Sequence, residues 1–304
     1  MLLFIGSTVA DVILRVPALP ASGDDLNLQG QDICLGGCAY NAFTAARLMG
    51  AQATLFSPVG SGVWGDWVRQ ALAQHGVASA IEPVDAPNGC CYCLVEPGGE
   101  RTFLCDHGAE YRFRPEWFRA LDAVSFSGVY LCGLEVEEAT GDVLLDWLEN
   151  HPPRRLYFAP GPRICHIPPR KMARVMALHP LMHLSEREAV QFTRQDEPEL
   201  AAALIHRVSG GDVVVTLGER GAYLRTSAGG ETIPARPVPV CDAIGAGDAH
   251  IGAIMAGEDA GLPLAEAVAR ANRLSAAVVS HPGATLSASA WHAWASEHPI
   301  EYKE

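Results

Sequence analysis

Positive charge is scarce in this chain. Its 304 residues carry 22 Lys and Arg against 35 Asp and Glu, a formal net charge of −13. A surface built for nucleic acid or an anionic bilayer needs the opposite balance, so neither is expected as the main partner. A small phosphate ligand stays open, because backbone N–H groups can hold one without a basic side chain. The N-terminus, MLLFIGSTVAD, has no basic n-region and no long apolar stretch, and reads as neither signal peptide nor membrane span. It also lacks the G-x-G-x-x-G that a Rossmann dehydrogenase would carry after its first strand. No repeat, low-complexity tract or linker divides the chain. The nine cysteines are odd in number and include no C-x-x-C…C-x-x-C pair; Cys34/Cys38 and Cys91/Cys93 come nearest to a metal spacing. They read as free thiols in a reducing cytoplasm.

What is present is ordinary for a folded domain, with 49% hydrophobic and 19% charged residues. Residues 1–304 read as one α/β domain. Strand-length apolar runs at 2–6, 53–60, 124–133, 154–161 and 212–218 alternate with helix-period segments at 38–49, 65–75, 140–149, 168–177, 197–208, 248–256 and 264–280. That order predicts a mostly parallel central sheet with helices on both faces. Gly50 and Gly76 each follow a helix, as C-terminal caps do. Residues 89–109 break the rhythm: they read as two strands around Glu96-Pro97-Gly98-Gly99, a type II turn sequence. With the irregular, strand-like residues 12–35 they predict a small β-sheet lid over the carboxyl edge of the main sheet, where ligands of open α/β sheets bind.

The segment CDAIGAGDAHIGAIMAG (241–257) is a loop that enters an apolar helix. Gly245, Ala246 and Gly247 sit where first-turn N–H groups lack intrahelical partners and the helix dipole is positive, so their backbone can close on an anion. A carboxylate beside such a hole, Asp248, is suited to take a proton from a hydroxyl that attacks phosphorus. His250 reads as packed or solvated.

Asp242-Ala243-Ile244-Gly245-Ala246-Gly247-Asp248 closely resembles the D-T-x-G-A-G-D motif of the ribokinase-like, or PfkB, sugar and nucleoside kinases, with Ala243 in place of the usual Thr. LGGCAYNAFTAARLMGA (35–51) is similar to that family's N-terminal G-G-x-x-x-N signature. The resemblance implies a three-layer α/β/α fold and phosphoryl transfer from ATP. It makes Asp248 the catalytic base and Gly245, Ala246 and Gly247 the anion hole. Asp11, Gly36, Gly37 and Asn41 would bind the acceptor, with Arg101 in the lid as a further contact; Arg163 has the same status. Thr216, Gly218 and Gly221, in T-L-G-x-x-G, and Asn272 would line the ATP site. Mg²⁺ would be organised near Glu188, partly through water. Ser185 stands where the family's N-x-x-E has Asn, which touches metal affinity. Asp242 and the Ile244 carbonyl are candidates for a K⁺ site.

The acceptor stays open between a sugar or sugar-like molecule and a nucleoside of the adenosine or pseudouridine type. For the latter, Phe103, Tyr92 and Trp64 are candidate stacking residues. A non-catalytic regulator on the same fold is the alternative outside enzymes, though it would not need Asp248. An exposed lid edge could pair with a second copy, giving a homodimer.

Overall fold

The computed structural model describes residues 1–299. Along the chain run β1 (Leu2–Ile5), β2 (Val9–Arg15), β3 (Gly30–Gly36), α1 (Cys38–Leu48), β4 (Ala53–Phe56), α2 (Gly62–Gln74), β5 (Cys90–Val95) and β6 (Arg101–Asp106). Then follow α3 (Pro115–Phe118), β7 (Gly128–Cys132), α4 (Gly133–Glu137), α5 (Gly141–Asn150), β8 (Leu156–Ala159), α6 (Pro169–Ala177), β9 (Leu181–Ser185), α7 (Glu186–Thr193) and α8 (Pro198–Ser209). The last part holds β10 (Val213–Thr216), β11 (Ala222–Thr226), β12 (Gly229–Ile233), α9 (Ala246–Asp259), α10 (Leu264–Val279) and α11 (Ala288–Glu297).

Eight strands form the large sheet, in the order β12-β11-β10-β9-β8-β7-β1-β4. Pairing is parallel from β4 through β10 and antiparallel only in β10–β11–β12. Its strands are apolar on both faces because both are covered. Leu2 and Phe4 join a core with α1, α9 and α10, while Leu3 and Ile5 join a second core with α5, α6 and α8. The expected parallel sheet with helices on both sides is thus present. The polar His183 interrupts the apolar run of β9, and the edge hairpin β11–β12 is mixed in polarity, so neither stood out by pattern.

A separate sheet of four strands has the order β3-β2-β5-β6, with β2–β5 parallel and the outer pairs antiparallel. The β5–β6 hairpin departs from the expected type II turn. The Gly99 N–H donates to Glu96 O at 2.8 Å, yet it is Gly99, not Gly98, that takes positive φ (81°). This is a type I turn followed by a left-handed glycine, the form that matches strand twist in longer hairpin loops.

Helix α9 has no polar face: residues Ala249 through Gly257 are all buried between α1 and α10. At Gly252 a Cβ would lie 2.2 Å from Ala42 O, so only glycine lets α1 approach this closely. That contact brings the first turns of α1 and α9 together at the carboxyl edge of the large sheet.

Candidate active site

Gly245, with φ 73°, is the N-cap of α9, and Ala246, Gly247 and Asp248 form the first turn. Asn41, in the first turn of α1, donates through Nδ2 to Asp248 Oδ2 at 3.0 Å. Burial pushes Asp248 up to about 7, against hydrogen bonds from Asn41 and Cys38, and the charges of Glu188 and Glu135 add to the rise. The Oδ1 of Asn41 is buried without a partner, which leaves an acceptor atom for a hydroxyl beside the carboxylate.

Asp11 stands beyond the carboxyl end of β1. It lies within β2, paired with Cys34 on β3 and Cys91 on β5. Burial, the Cys105 charge and the Asp248 charge raise it to about 7. Gly36 opens the space it occupies: a Cβ there would fall 1.8 Å from Asp11 Oδ2. Gly37 is the N-cap of α1, and a Cβ there would meet Ser7 O at 2.4 Å. Asp11, Gly36, Gly37, Asn41 and Asp248 are thereby brought to one place.

Sequence reasoning missed Glu135. It is fully buried in α4, directly after β7; its Oε1 accepts from the Ser7 N–H at 2.8 Å and its Oε2 has no partner. Burial raises its carboxyl. The signal was there: an acidic residue in LCGLEVEE, immediately past the carboxyl end of a buried strand. Cys38, read from sequence only as a free thiol, lies beside Asp248 and Cys132.

Arg101, at the start of β6, reaches the loop before α9 and donates through Nη1 to Asp242 Oδ1 at 2.6 Å. The same Asp242 accepts from the Ile244 N–H (2.8 Å) and the Gly283 N–H (3.1 Å). Burial opposes ionisation of Asp242, but Arg101 and these two N–H groups hold it below the usual carboxylate range. Asp242 is therefore already balanced by a fixed cation, and the residues present do not fit a K⁺ ion on this carboxylate. Arg163 pairs with Glu137 through two nitrogens.

Beside the first turn of α9 lies a cavity of about 270 Å³. It is lined by Thr216, Gly218 and Gly221 from the turn after β10, by Ala246 and Gly247, and by Asn272. Its walls suit a nucleotide: small residues at a helix N-terminus for phosphates, and Val238, Val240, Ala276 and Val279 for an apolar base. Asn272 contributes indirectly. Its Oδ1 meets His250 Nε2 at 2.9 Å, and its Nδ2 donates to Ile233 O at 2.9 Å. The other nitrogen of His250 meets His183 Nε2 at 2.9 Å, and burial keeps both imidazoles neutral. Asn272 thus braces the cavity wall after β12, and His250 is packed, as expected.

Glu188 lies in the first turn of α7. Ser185 caps that helix: its hydroxyl accepts from the Glu188 N–H at 3.3 Å, and Glu188 Oε2 accepts from the Ser185 N–H at 2.9 Å. The unusual serine is thus half of a capping box. Burial raises the Glu188 carboxyl, and its second oxygen remains for a water on a cation. This set fits Mg²⁺ held largely by water and phosphate. Among the described residues there is no cluster of three or more His, Cys, Asp or Glu arranged for a metal.

The three aromatic candidates do not act together. Pairing of Asp11 with Cys91 and Cys91 with Cys105 puts Arg101 and Phe103 on the Asp11 face of the small sheet and Tyr92 on the other. Tyr92 meets Trp64 of α2 edge to face at 6.5 Å. Phe103 is 52% exposed. Among the described residues no helix is long and apolar enough to cross a membrane.

A family model described as pfkB family carbohydrate kinase matches residues 1–291. The chain is 36% identical over 283 residues to an uncharacterized sugar kinase, YegV, of Escherichia coli, covering 92% of this chain and 88% of that protein. It is 26% identical to mouse ribokinase, with coverage of 93% and 90%. Among solved structures, ribokinase from Thermotoga maritima superposes with a TM-score of 0.81 at 19% identity, covering 97% and 99% of the two chains. Adenosine kinase from Sinorhizobium meliloti gives 0.83 at 20% identity, covering 97% and 98%. With the ribokinase fold, a glycine-rich turn at α9 and a match over nearly its whole length, the chain belongs to the pfkB family of carbohydrate kinases, and it is a sugar or nucleoside kinase.

Proposed function

We propose that this protein transfers the γ-phosphoryl group of ATP to a hydroxyl of a small sugar or sugar-like acceptor, with Asp248 as general base. The observation that carries the reading is Asp248 itself: a carboxylate in the first turn of α9, next to that turn's backbone N–H groups and oriented by Asn41. Asp11 and the unpartnered Asn41 Oδ1 accept hydroxyl hydrogens and fix the acceptor. Asp248 takes the proton as the acceptor oxygen attacks. N–H groups of Gly245, Ala246 and Gly247 stabilise charge on the transferring group. Thr216, Gly218 and Gly221 shape the nucleotide cavity, and Glu188 orients water. Mg²⁺, when bound, neutralises the triphosphate.

A sugar-like acceptor is favoured over a nucleoside because Tyr92 and Trp64 pack away from the Asp11 face, leaving only Phe103 of the three on it. The test is a coupled ADP-release assay with Mg-ATP over sugars, sugar acids, sugar phosphates and nucleosides, with Asp248→Asn beside it. Turnover on a sugar that disappears in the variant supports the reading. Preference for a nucleoside overturns the substrate class. Full activity of the variant overturns the base. β3 and β6 are the free edges of the small sheet, and a homodimer through them belongs to the same proposal, to be read by light scattering.

A further inference from the structure

One row of side chains crosses all four strands of the small sheet: Cys34, Asp11, Cys91 and Cys105 are directly paired neighbours. Cys91 and Cys105 sit opposite each other on antiparallel strands, with their sulfurs 3.3 Å apart. Directly opposed residues have Cα separations of about 4.5–5.5 Å, inside the range that a disulfide spans. Cys105 is exposed and Cys91 half-buried, so a small reagent reaches the pair from the Cys105 side. Two residues on, just past the end of β6, His107 lies beside Cys105, and its Nδ1 meets Glu138 Oε1 at the end of α4 at 2.6 Å. Cysteine, histidine and carboxylate in series is the arrangement that activates a thiol. We propose that Cys91 and Cys105 are a reversible dithiol–disulfide pair, a redox modification site built beside the acceptor carboxylate Asp11.

The chemistry needs a low-molecular-weight disulfide, for which oxidised glutathione is the probe. The Cys105 thiolate attacks one sulfur of glutathione disulfide and breaks its S–S bond. The departing glutathione thiolate takes the proton held by His107. Cys91 then attacks the Cys105 sulfur of the mixed disulfide and expels the second glutathione, which leaves with the Cys91 proton. Two protein thiols are oxidised to one disulfide, and one glutathione disulfide is reduced to two thiols. Hydrogen bonds from Cys91 and His107 draw the Cys105 thiol down to about 5, and the partnership with Cys105 raises His107 to about 9, as this first step requires. Bond formation removes the Cys105 charge that opposes ionisation of Asp11. The thiol step stands by itself; its consequence for the acceptor rests on the role proposed for Asp11.

The experiment equilibrates the full-length protein with glutathione disulfide, alkylates free thiols and maps the bonds. The expected product is a Cys91–Cys105 bond, reversed by dithiothreitol, while Cys165 and Cys241, also exposed, give mixed disulfides. Cys91→Ser stops the reaction at a mixed disulfide on Cys105, and His107→Gln slows the first step without changing the product. A wild-type protein whose Cys105 stays reduced, or stays glutathionylated with Cys91 free, overturns the proposal. In the kinase assay at about pH 6, where Asp11 is mostly protonated, the oxidised protein is expected to have an acceptor KM severalfold lower at unchanged nucleotide KM. Equal acceptor KM in both forms overturns the link to Asp11. Absence of phosphoryl transfer in either form counts against the kinase reading, while the presence or absence of the mapped bond alone decides for or against the thiol pair.

Discussion

The Asn41 amide donates to Asp248 across 207 residues of chain, joining the first turn of α1 to the first turn of α9 at 3.0 Å. The pair depends on the close approach of the two helices at Gly252 and Ala42. If Asp248 is the base, Asp248→Asn lowers kcat by about 10²–10⁴-fold, the usual worth of general-base catalysis, while ATP binding measured by calorimetry is unchanged. The same variant removes a carboxylate that burial disfavours, so its Tm is expected to rise. Loss of ATP binding together with activity would point to a structural role instead.

The pH dependence follows from two raised carboxyls. Asp248 and Asp11 both lie at about 7, and both must be ionised to act in the roles proposed for them. The value of kcat/KM for the acceptor therefore rises with pH through about 7, with a limb steeper than one proton while both titrate. Asn41→Leu removes a hydrogen bond that favours the ionised form, so the limb moves to higher pH. Stability runs the other way. The folded state keeps protons that the unfolded chain loses above about 4, so these groups cost stability as pH rises toward 7. Urea titrations at pH 5 and pH 8 give the sign.

Gly36→Ala drives a methyl into the Asp11 carboxylate, since its Cβ would lie 1.8 Å from Oδ2. Acceptor KM is expected to rise by about 10–100-fold, the order for a lost charged hydrogen-bonding contact, with nucleotide KM within twofold. Equal effects on both would mean that the substitution disturbs the fold rather than the acceptor site.

Arg101 already balances Asp242. Wild-type turnover is therefore expected to be unchanged when K⁺ is exchanged for tetramethylammonium. Arg101→Ala frees the carboxylate, and in that variant activity is expected to become dependent on K⁺. Strong K⁺ activation of the wild type would overturn this use of Asp242.

Asn272→Leu leaves the Ile233 carbonyl and His250 Nε2 without their partner inside the protein. An unsatisfied buried group costs about 1–3 kcal/mol, so a fall in Tm together with a raised ATP KM is expected. A direct base contact alone would raise KM and leave Tm in place.

The α/β order and the two glycine-rich turns were legible because each rests on local pattern: buried strands as apolar runs, helices as apolar periods, Gly245–Asp248 as small residues at a helix start. Pairings between distant segments were not. The partnership of Arg101 with Asp242 spans 141 residues, and that of Asn272 with His250 depends on α9 being buried on every side. Ser185 looked like a deficit at a metal site and is half of a helix cap, which only the reciprocal bonds with Glu188 reveal. Glu135 was hidden by its acidic neighbours, whose exposure the sequence does not distinguish from its burial.

The small sheet is joined to the rest of the chain at one end of its strands: by Gly6, Ser7 and Thr8 between β1 and β2, by Gly37 between β3 and α1, by Gly89 before β5 and by His107 after β6. Ser7 is held to Glu135, and Gly37 packs against Ser7. Any rotation of the small sheet against the large one must pivot there. Asp11 and Gly36 sit within a few residues of that pivot, whereas Arg101 is a further four residues out along the strands, roughly 13 Å at 3.3 Å per residue. A swing wide enough to part Arg101 from Asp242 thus displaces Asp11 far less. The short arm of the lever carries Asp11, the carboxylate proposed to hold the acceptor, and the long arm carries Arg101 to the loop before α9.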